Sequence, residues 1–124
     1  MKSRRRILVA DDNHLIRKTL CDLFKEHESL EICDEAVDGQ DAVQKAKDLR
    51  PDLIILDLAM PKMDGLQAAT TICKFLPNVP IILLTMYAHV IRQTETEVAG
   101  INRVVSKNEP DTIVGICEEL LQVA

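Results

Sequence analysis

Five short aliphatic blocks punctuate the chain, at residues 7–10, 30–36, 53–56, 79–84 and 101–105, and each reads as a β-strand. The segments between them carry apolar residues at helical spacing. Ile16, Thr19, Leu20, Leu23 and Phe24 follow i, i+3, i+4, i+7, i+8, as do Ile113, Ile116, Cys117, Leu120 and Leu121. Ala42, Val43, Ala46 and Leu49 make a further stripe, and Leu66, Ala69, Thr70, Cys73 and Leu76 another. The segment Arg92-Gln93-Thr94-Glu95-Thr96-Glu97 has almost no apolar anchor. Its β-branched threonines also lower helix propensity, so this fourth helix is expected to be the least stable and the natural moving part.

Start and stop signals agree with this division. Asp64 precedes Gly65-Leu66-Gln67, a capping residue with Gln at the third helical position. Asn108 precedes Glu109-Pro110-Asp111, which places Pro110 in the first turn of the last helix. Pro51 ends the second helix, because the residue before a proline avoids the α region, and Gly100 is a C-terminal cap for the fourth. Strand and helix therefore alternate five times across residues 1–124, with no repeat and no linker, and because the last helix is expected to run almost to Ala124, no output domain is expected in this chain. Such alternation predicts one α/β domain with a doubly wound parallel sheet, since parallel neighbours need right-handed crossovers. Leu53-Ile54-Ile55-Leu56 and Ile81-Ile82-Leu83-Leu84 are apolar at consecutive positions, as central strands covered on both sides should be.

Composition narrows the picture. A chain of 124 residues, 47% apolar, suits a single globular core. No apolar run approaches the ~18 residues of a membrane span. The basic start Met1-Lys2-Ser3-Arg4-Arg5-Arg6 leads only into Ile7-Leu8-Val9-Ala10 before two aspartates, so no export signal is read and a cytoplasmic location is expected. A net charge of −5 disfavours a chain whose task is to grip nucleic acid. Cys21, Cys33, Cys73 and Cys117 show no metal-ligand spacing and read as buried thiols in a reducing compartment.

In an open α/β sheet the functional crevice lies beyond the carboxyl ends of the strands. There the chain places Asp11-Asp12 after the first strand, Asp57 after the third, Thr85 after the fourth and Lys107 after the fifth. Carboxylates converging within ~4 to 6 Å repel one another by several kcal/mol and need a counter-charge. An all-oxygen donor set suits Mg²⁺ rather than zinc. Lys107 and Thr85 then offer a charge and a hydrogen bond to the oxygens of a phosphoryl group. Each residue alone has a plainer reading: Asp11-Asp12 as a helix cap, Asp57 as a loop carboxylate. Four strand ends converging on one chemistry outweigh those separate readings.

Three stretches carry a resemblance that covers nearly the whole chain. They are Ile7-Leu8-Val9-Ala10-Asp11-Asp12-Asn13, the run from Asp52 through Asp57 to Met60-Pro61-Lys62-Met63-Asp64-Gly65, and Pro80-Ile81-Ile82-Leu83-Leu84-Thr85, followed by Gly100 leading to Lys107. The chain resembles the receiver domains of two-component response regulators, chemotaxis receivers among them. The resemblance implies a flavodoxin-like (βα)5 fold of strand order 2-1-3-4-5. It implies a phosphoacceptor switch rather than an enzyme, with Asp57 taking a phosphoryl group from a phosphohistidine on a sensor histidine kinase or a histidine phosphotransfer protein. Asp12, Asp57 and the backbone carbonyl of Ala59 would bind Mg²⁺ directly and Asp11 mainly through water, while Thr85 and Lys107 would contact the phosphoryl group.

The implied output surface is the fourth helix, fifth strand and fifth helix, where Val90, Ile91, Val104 and Val105 should be exposed or repacked. It would serve a downstream protein, a fused output domain or a phosphorylation-dependent homodimer. The donor histidine belongs to the partner, so His14, His27 and His89 read as solvated or packing residues.

The chain also departs from its relatives. Val104 stands where receivers often carry an aromatic, and Asn108 follows the lysine where many carry proline, so no cis peptide is expected there. Ala59 and Tyr87 occupy positions that vary in the family and tune phosphoryl lifetime, and the bulk of Met86 is expected to restrict water at the phosphoryl group. Two other readings are a receiver-like binding module that works without phosphorylation, and an aspartate-nucleophile phosphatase of the haloacid dehalogenase type. The latter wants a second Asp where this chain has Ala59.

Overall fold

The computed structural model describes residues 4–123. The expected basic start at Met1, Lys2 and Ser3, and the last residue Ala124, lie outside them. Strands and helices alternate as β1 (Arg5–Ala10), α1 (His14–Lys25), β2 (Leu30–Ala36), α2 (Gly39–Leu49), β3 (Leu53–Asp57), α3 (Gly65–Cys73), β4 (Ile81–Thr85), α4 (Gln93–Ala99), β5 (Arg103–Ser106) and α5 (Thr112–Leu121). All five strands are parallel, in the order β2-β1-β3-β4-β5. This is the flavodoxin-like order that the resemblance implied. No helix among the described residues is long and apolar enough to cross a membrane.

The sheet has a core on each face, because successive side chains of a strand point to opposite sides. Leu8, Ala10, Ile54, Leu56, Ile81 and Leu83 pack with Ala42 and Ala46 of α2 and Ala68, Ala69 and Ile72 of α3. Ile7, Val9, Leu53, Ile55, Ile82 and Leu84 pack with Leu20 and Phe24 of α1 and Ile113, Val114 and Cys117 of α5. Apolar side chains on both faces account for the consecutive aliphatic runs of β3 and β4, which do lie inside the sheet. The register between β1 and β2 shifts after Ile7, which pairs with Ile32, so that Leu8 pairs with Asp34 and Cys33 bulges out.

Several local expectations need correction. The buried face of α3 is Gly65, Ala68, Ala69 and Ile72, with Thr70 exposed and Cys73 half-buried. Of the expected stripe, Ala69 and Leu76 are buried and Leu66 and Cys73 pack against the same core, so Thr70 alone lies off the face, which Ala68 and Ile72 complete. Thr19 of α1 is likewise exposed. Of the cysteines, Cys117 alone is buried, and Cys21, Cys33 and Cys73 are half-buried.

The last helix begins at Thr112, not after Asn108; Pro110 instead accepts from the Ile113 N–H through its carbonyl, 3.1 Å away, in a preceding turn. The second helix ends before Pro51 as expected, but Arg50 turns the chain in the left-handed region at φ 47° rather than in an extended conformation. Gly100 caps α4 at φ 82°, and Asp64 and Gln67 form the expected reciprocal cap on α3. No peptide bond among the described residues is cis, that after Lys107 included. Of the residues expected at the output surface, Val90 is exposed, while Ile91 and Val104 are half-buried against one core and Val105 is buried in the other.

Candidate phosphoacceptor site

The carboxyl ends of β1, β3, β4 and β5 form one edge of the sheet, and the parallel register sets their side chains level with one another. Asp57 pairs with Leu84, and Thr85 with Ser106. The Lys107 N–H then donates to the Thr85 carbonyl, 3.0 Å away. Asp11 is fully buried, Asp57 and Thr85 nearly so, and Asp12 is exposed at the rim. Carboxylate oxygens of Asp11, Asp12 and Asp57 lie within 4.8 Å of one another. Lys107 reaches into this group with Nζ 2.9 Å from Asp57 Oδ1 and 2.9 Å from Asp11 Oδ2. Together with Ile16, Thr19, Leu20, Leu84 and Pro110 it also lines a small cavity.

The loops around the site are built for close approach. A Cβ on Gly65 would overlap the carbonyl oxygen of Asp57 and stand 2.9 Å from Leu83 Cδ1. One on Gly39, at the start of α2, would overlap the Met63 carbonyl and stand 2.6 Å from its carbon. The stretch from Leu58 to Asp64 is thus seated by backbone contact at both ends, and the Leu58 N–H donates to the Leu84 carbonyl at 3.2 Å. Asp38, the cap of α2, adds an ion pair to Lys62 of that loop at 3.6 Å. Ala59 lies within the stretch, exposed, next to the buried Met60.

Burial, and then the negative charge of Asp11, push the Asp57 carboxyl up to about 6, against the lowering pull of Lys107 and of the Ala59 N–H. Burial works against the Lys107 ammonium, but the attraction of Asp11 and Asp57 overcomes it and holds its pKa above the ordinary value. One ammonium faces three carboxylates. Asp11 Oδ2 is buried from water, and its close partner is the Lys107 ammonium at 2.9 Å, which it shares with Asp57. One ammonium shared between two buried carboxylates leaves negative charge uncompensated. The site therefore has room in its charge balance for a further cation, and its donors are all hard oxygens.

All the expected residues, Asp11, Asp12, Asp57, Ala59, Thr85 and Lys107, come to this edge. Thr85 Oγ1 accepts from the Tyr87 N–H at 3.0 Å, which leaves its own proton free to donate. His14 and His89 are exposed and His27 is half-buried. Sequence reasoning passed over Arg17, Asp38 and Gly39. The adjacent pair Asp38-Gly39, a cap followed by the least bulky residue ahead of the Ala42 stripe, was the available signal for a close contact.

Residues 7–117 match the family model described as the response regulator receiver domain. The chain belongs to that family. Among curated relatives, this receiver domain is 44% identical over 85 residues to the protein-glutamate methylesterase/protein-glutamine glutaminase of Caldanaerobacter subterraneus subsp. tengcongensis, covering 68% of this chain and 23% of that protein. It spans less than half the length of such relatives: 42% and 39% of the next two. Among solved structures, the response regulator domain of Thermotoga maritima CheB superposes with a TM-score of 0.88 at 24% identity, over 98% of each chain, and speaks for the fold. The CheX-CheY-BeF3-Mg²⁺ complex from Borrelia burgdorferi gives a TM-score of 0.87 at 26% identity, over 95% of this chain and 90% of that one.

Proposed function

We propose that the whole of residues 1–124 is one receiver domain and that Asp57 is its phosphoacceptor, with Mg²⁺ as cofactor. The observation that carries this reading is the charge imbalance at the sheet edge: a buried Asp57 beside Asp11 and Asp12, with Lys107 the one cation paired to these carboxylates among the described residues. Asp12, Asp57 and the Ala59 carbonyl would hold the ion, and Asp11 would act mainly through water. The bound ion supplies positive charge against the phosphoryl oxygens. The Borrelia relative, solved as a complex with BeF3 and Mg²⁺, adds support by likeness.

An oxygen of Asp57 attacks the phosphorus of a phosphohistidine on a sensor histidine kinase or a phosphotransfer protein. The bond from phosphorus to the imidazole breaks, and the imidazole leaves with its electron pair. Lys107 then moves its ion pair from the Asp57 carboxylate to the new phosphoryl oxygens, and the Thr85 hydroxyl donates to another. The chain acts as a cytoplasmic switch between two conformations, biased by the added charge. A downstream protein, a fused output domain or a second copy reads the switch through α4, β5 and α5.

Intact-mass measurement after incubation with acetyl phosphate and Mg²⁺ tests the reading. The native chain should gain one phosphoryl group and Asp57→Asn none. An unmodified native chain removes the phosphoacceptor role in favour of a binding module, and sustained release of phosphate points to a phosphatase.

A further inference from the structure

We propose that Arg17 is a positioning residue for the acidic pocket, holding the peptide between Asp11 and Asp12 so that both carboxylates stay aimed at the cation position. The inference rests on the metal-dependent reading above and deepens it. Side chains on a helix lean back toward its N-terminus, so Arg17, in the first turns of α1, covers the loop that precedes the helix. There its Nη1 donates to the Asp11 carbonyl at 2.7 Å, and its Nε donates to Glu35 Oε1 of β2 at 3.0 Å. The side chain is only 12% exposed. One guanidinium thus ties together the end of β1, the start of α1 and the edge strand β2.

The rest of that loop is already pinned. The Asp11 N–H donates to the Ala36 carbonyl at 3.0 Å, and the Asn13 N–H donates to Asp11 Oδ1 at 2.8 Å. The Asp11 carbonyl is the remaining handle on the peptide plane, and that plane sets the direction in which Asp12 leaves the backbone. Asp12 itself is exposed at the rim of the site. The guanidinium meets Asp11 at its backbone carbonyl and so does not compete for the carboxylate oxygens. Arginine suits the task because its planar fork serves two acceptors at a fixed angle, which a lysine cannot do.

Mg²⁺ titration of the full chain, followed by backbone amide resonances, tests the proposal. Groups that orient metal ligands typically change affinity by about 10-fold or more when removed. Arg17→Gln should therefore raise the Mg²⁺ dissociation constant by roughly 10-fold, and should shift the Asp12 amide resonance in the metal-free chain. Arg17→Lys, which keeps the charge but loses the fork, should restore only part of the affinity. Native affinity in Arg17→Gln, with the Asp12 resonance unmoved, overturns the proposal. Should Arg17→Gln fail to fold, Glu35→Gln decides: weaker Mg²⁺ binding supports the clamp, and unchanged binding overturns it. A native chain whose resonances ignore Mg²⁺ sinks the metal-dependent reading and this inference together, whereas native binding with indifferent variants sinks the inference alone.

Discussion

Helices α1 and α4 both follow a strand whose end carries a site residue, yet they are held very differently. Asn13 caps α1 by accepting from the N–H groups of Leu15 and Ile16, and Leu20 and Phe24 lock its inner face into the core. Helix α4 spans only Gln93–Ala99, starts at Arg92 without a side-chain cap, and buries only Thr96 and Ala99, with Val98 85% exposed. The pocket is therefore built from a rigid half, made by α1 and the loop of residues 58–64, and a loosely held half reached through Thr85. A switch needs that asymmetry: one side to hold the charged group in place, and another whose opening costs little.

The largest effect should come from the rigid half. Gly65→Ala puts a methyl group into the Asp57 carbonyl and should destabilise the chain by about 3 kcal/mol. A urea unfolding midpoint close to native would show that the loop is not seated as described.

Next is Asp57→Asn without metal. Because the folded carboxyl has its pKa raised to about 6, the native chain gains from the bound proton below the ordinary carboxylate value of 3.8, and loses that gain as pH rises through 6. The Asn variant loses nothing in that window. Its advantage over native should be near zero at about pH 4 and reach about 2 kcal/mol at neutral pH. Paired urea titrations across the range measure it, and an advantage that shrinks with rising pH would contradict the burial argument.

Asn13→Ala removes the cap of α1 and should cost about 1 kcal/mol. Amide exchange sharpens the contrast, since α4 should exchange well before α1; equal protection would erase the distinction between the two halves. The smallest change, Gly115→Ala, meets nothing within 4 Å on the exposed side of α5 and should stabilise by roughly 0.7 kcal/mol. Set beside Gly65→Ala, it separates the general helix penalty of glycine from a close contact that requires it.

Much of this was legible in the chain itself. Period-two and period-3.6 patterning is local, so β2 was placed over residues 30–36 as it is found, and the other strands were placed within about two residues of their ends. Asp11, Asp12, Asp57, Thr85 and Lys107 stood out because each closes an aliphatic run, and a parallel sheet brings such ends to one edge. The inward face of α3 was read only in part, with Thr70 included and Ala68 and Ile72 left out, because alanines and threonines give a weak apolar signal. The start of α5 was misread because a proline favours a first helical turn but serves a preceding turn equally well.

By itself, the order of residues determined the alternation of strands and helices, the covering of both faces of β3 and β4, and the chemical kinds of side chain delivered to the pocket. Distances and charge states were decided only by tertiary structure. The reach of Lys107 to two carboxylates, the tie of Arg17 to Glu35 and the seat of Met63 on Gly39 join residues far apart along the chain. Such contacts depend on how elements pack, and no local spacing encodes them. The raised proton affinity of Asp57 has the same origin, since burial and the neighbouring Asp11 exist only once the sheet has formed.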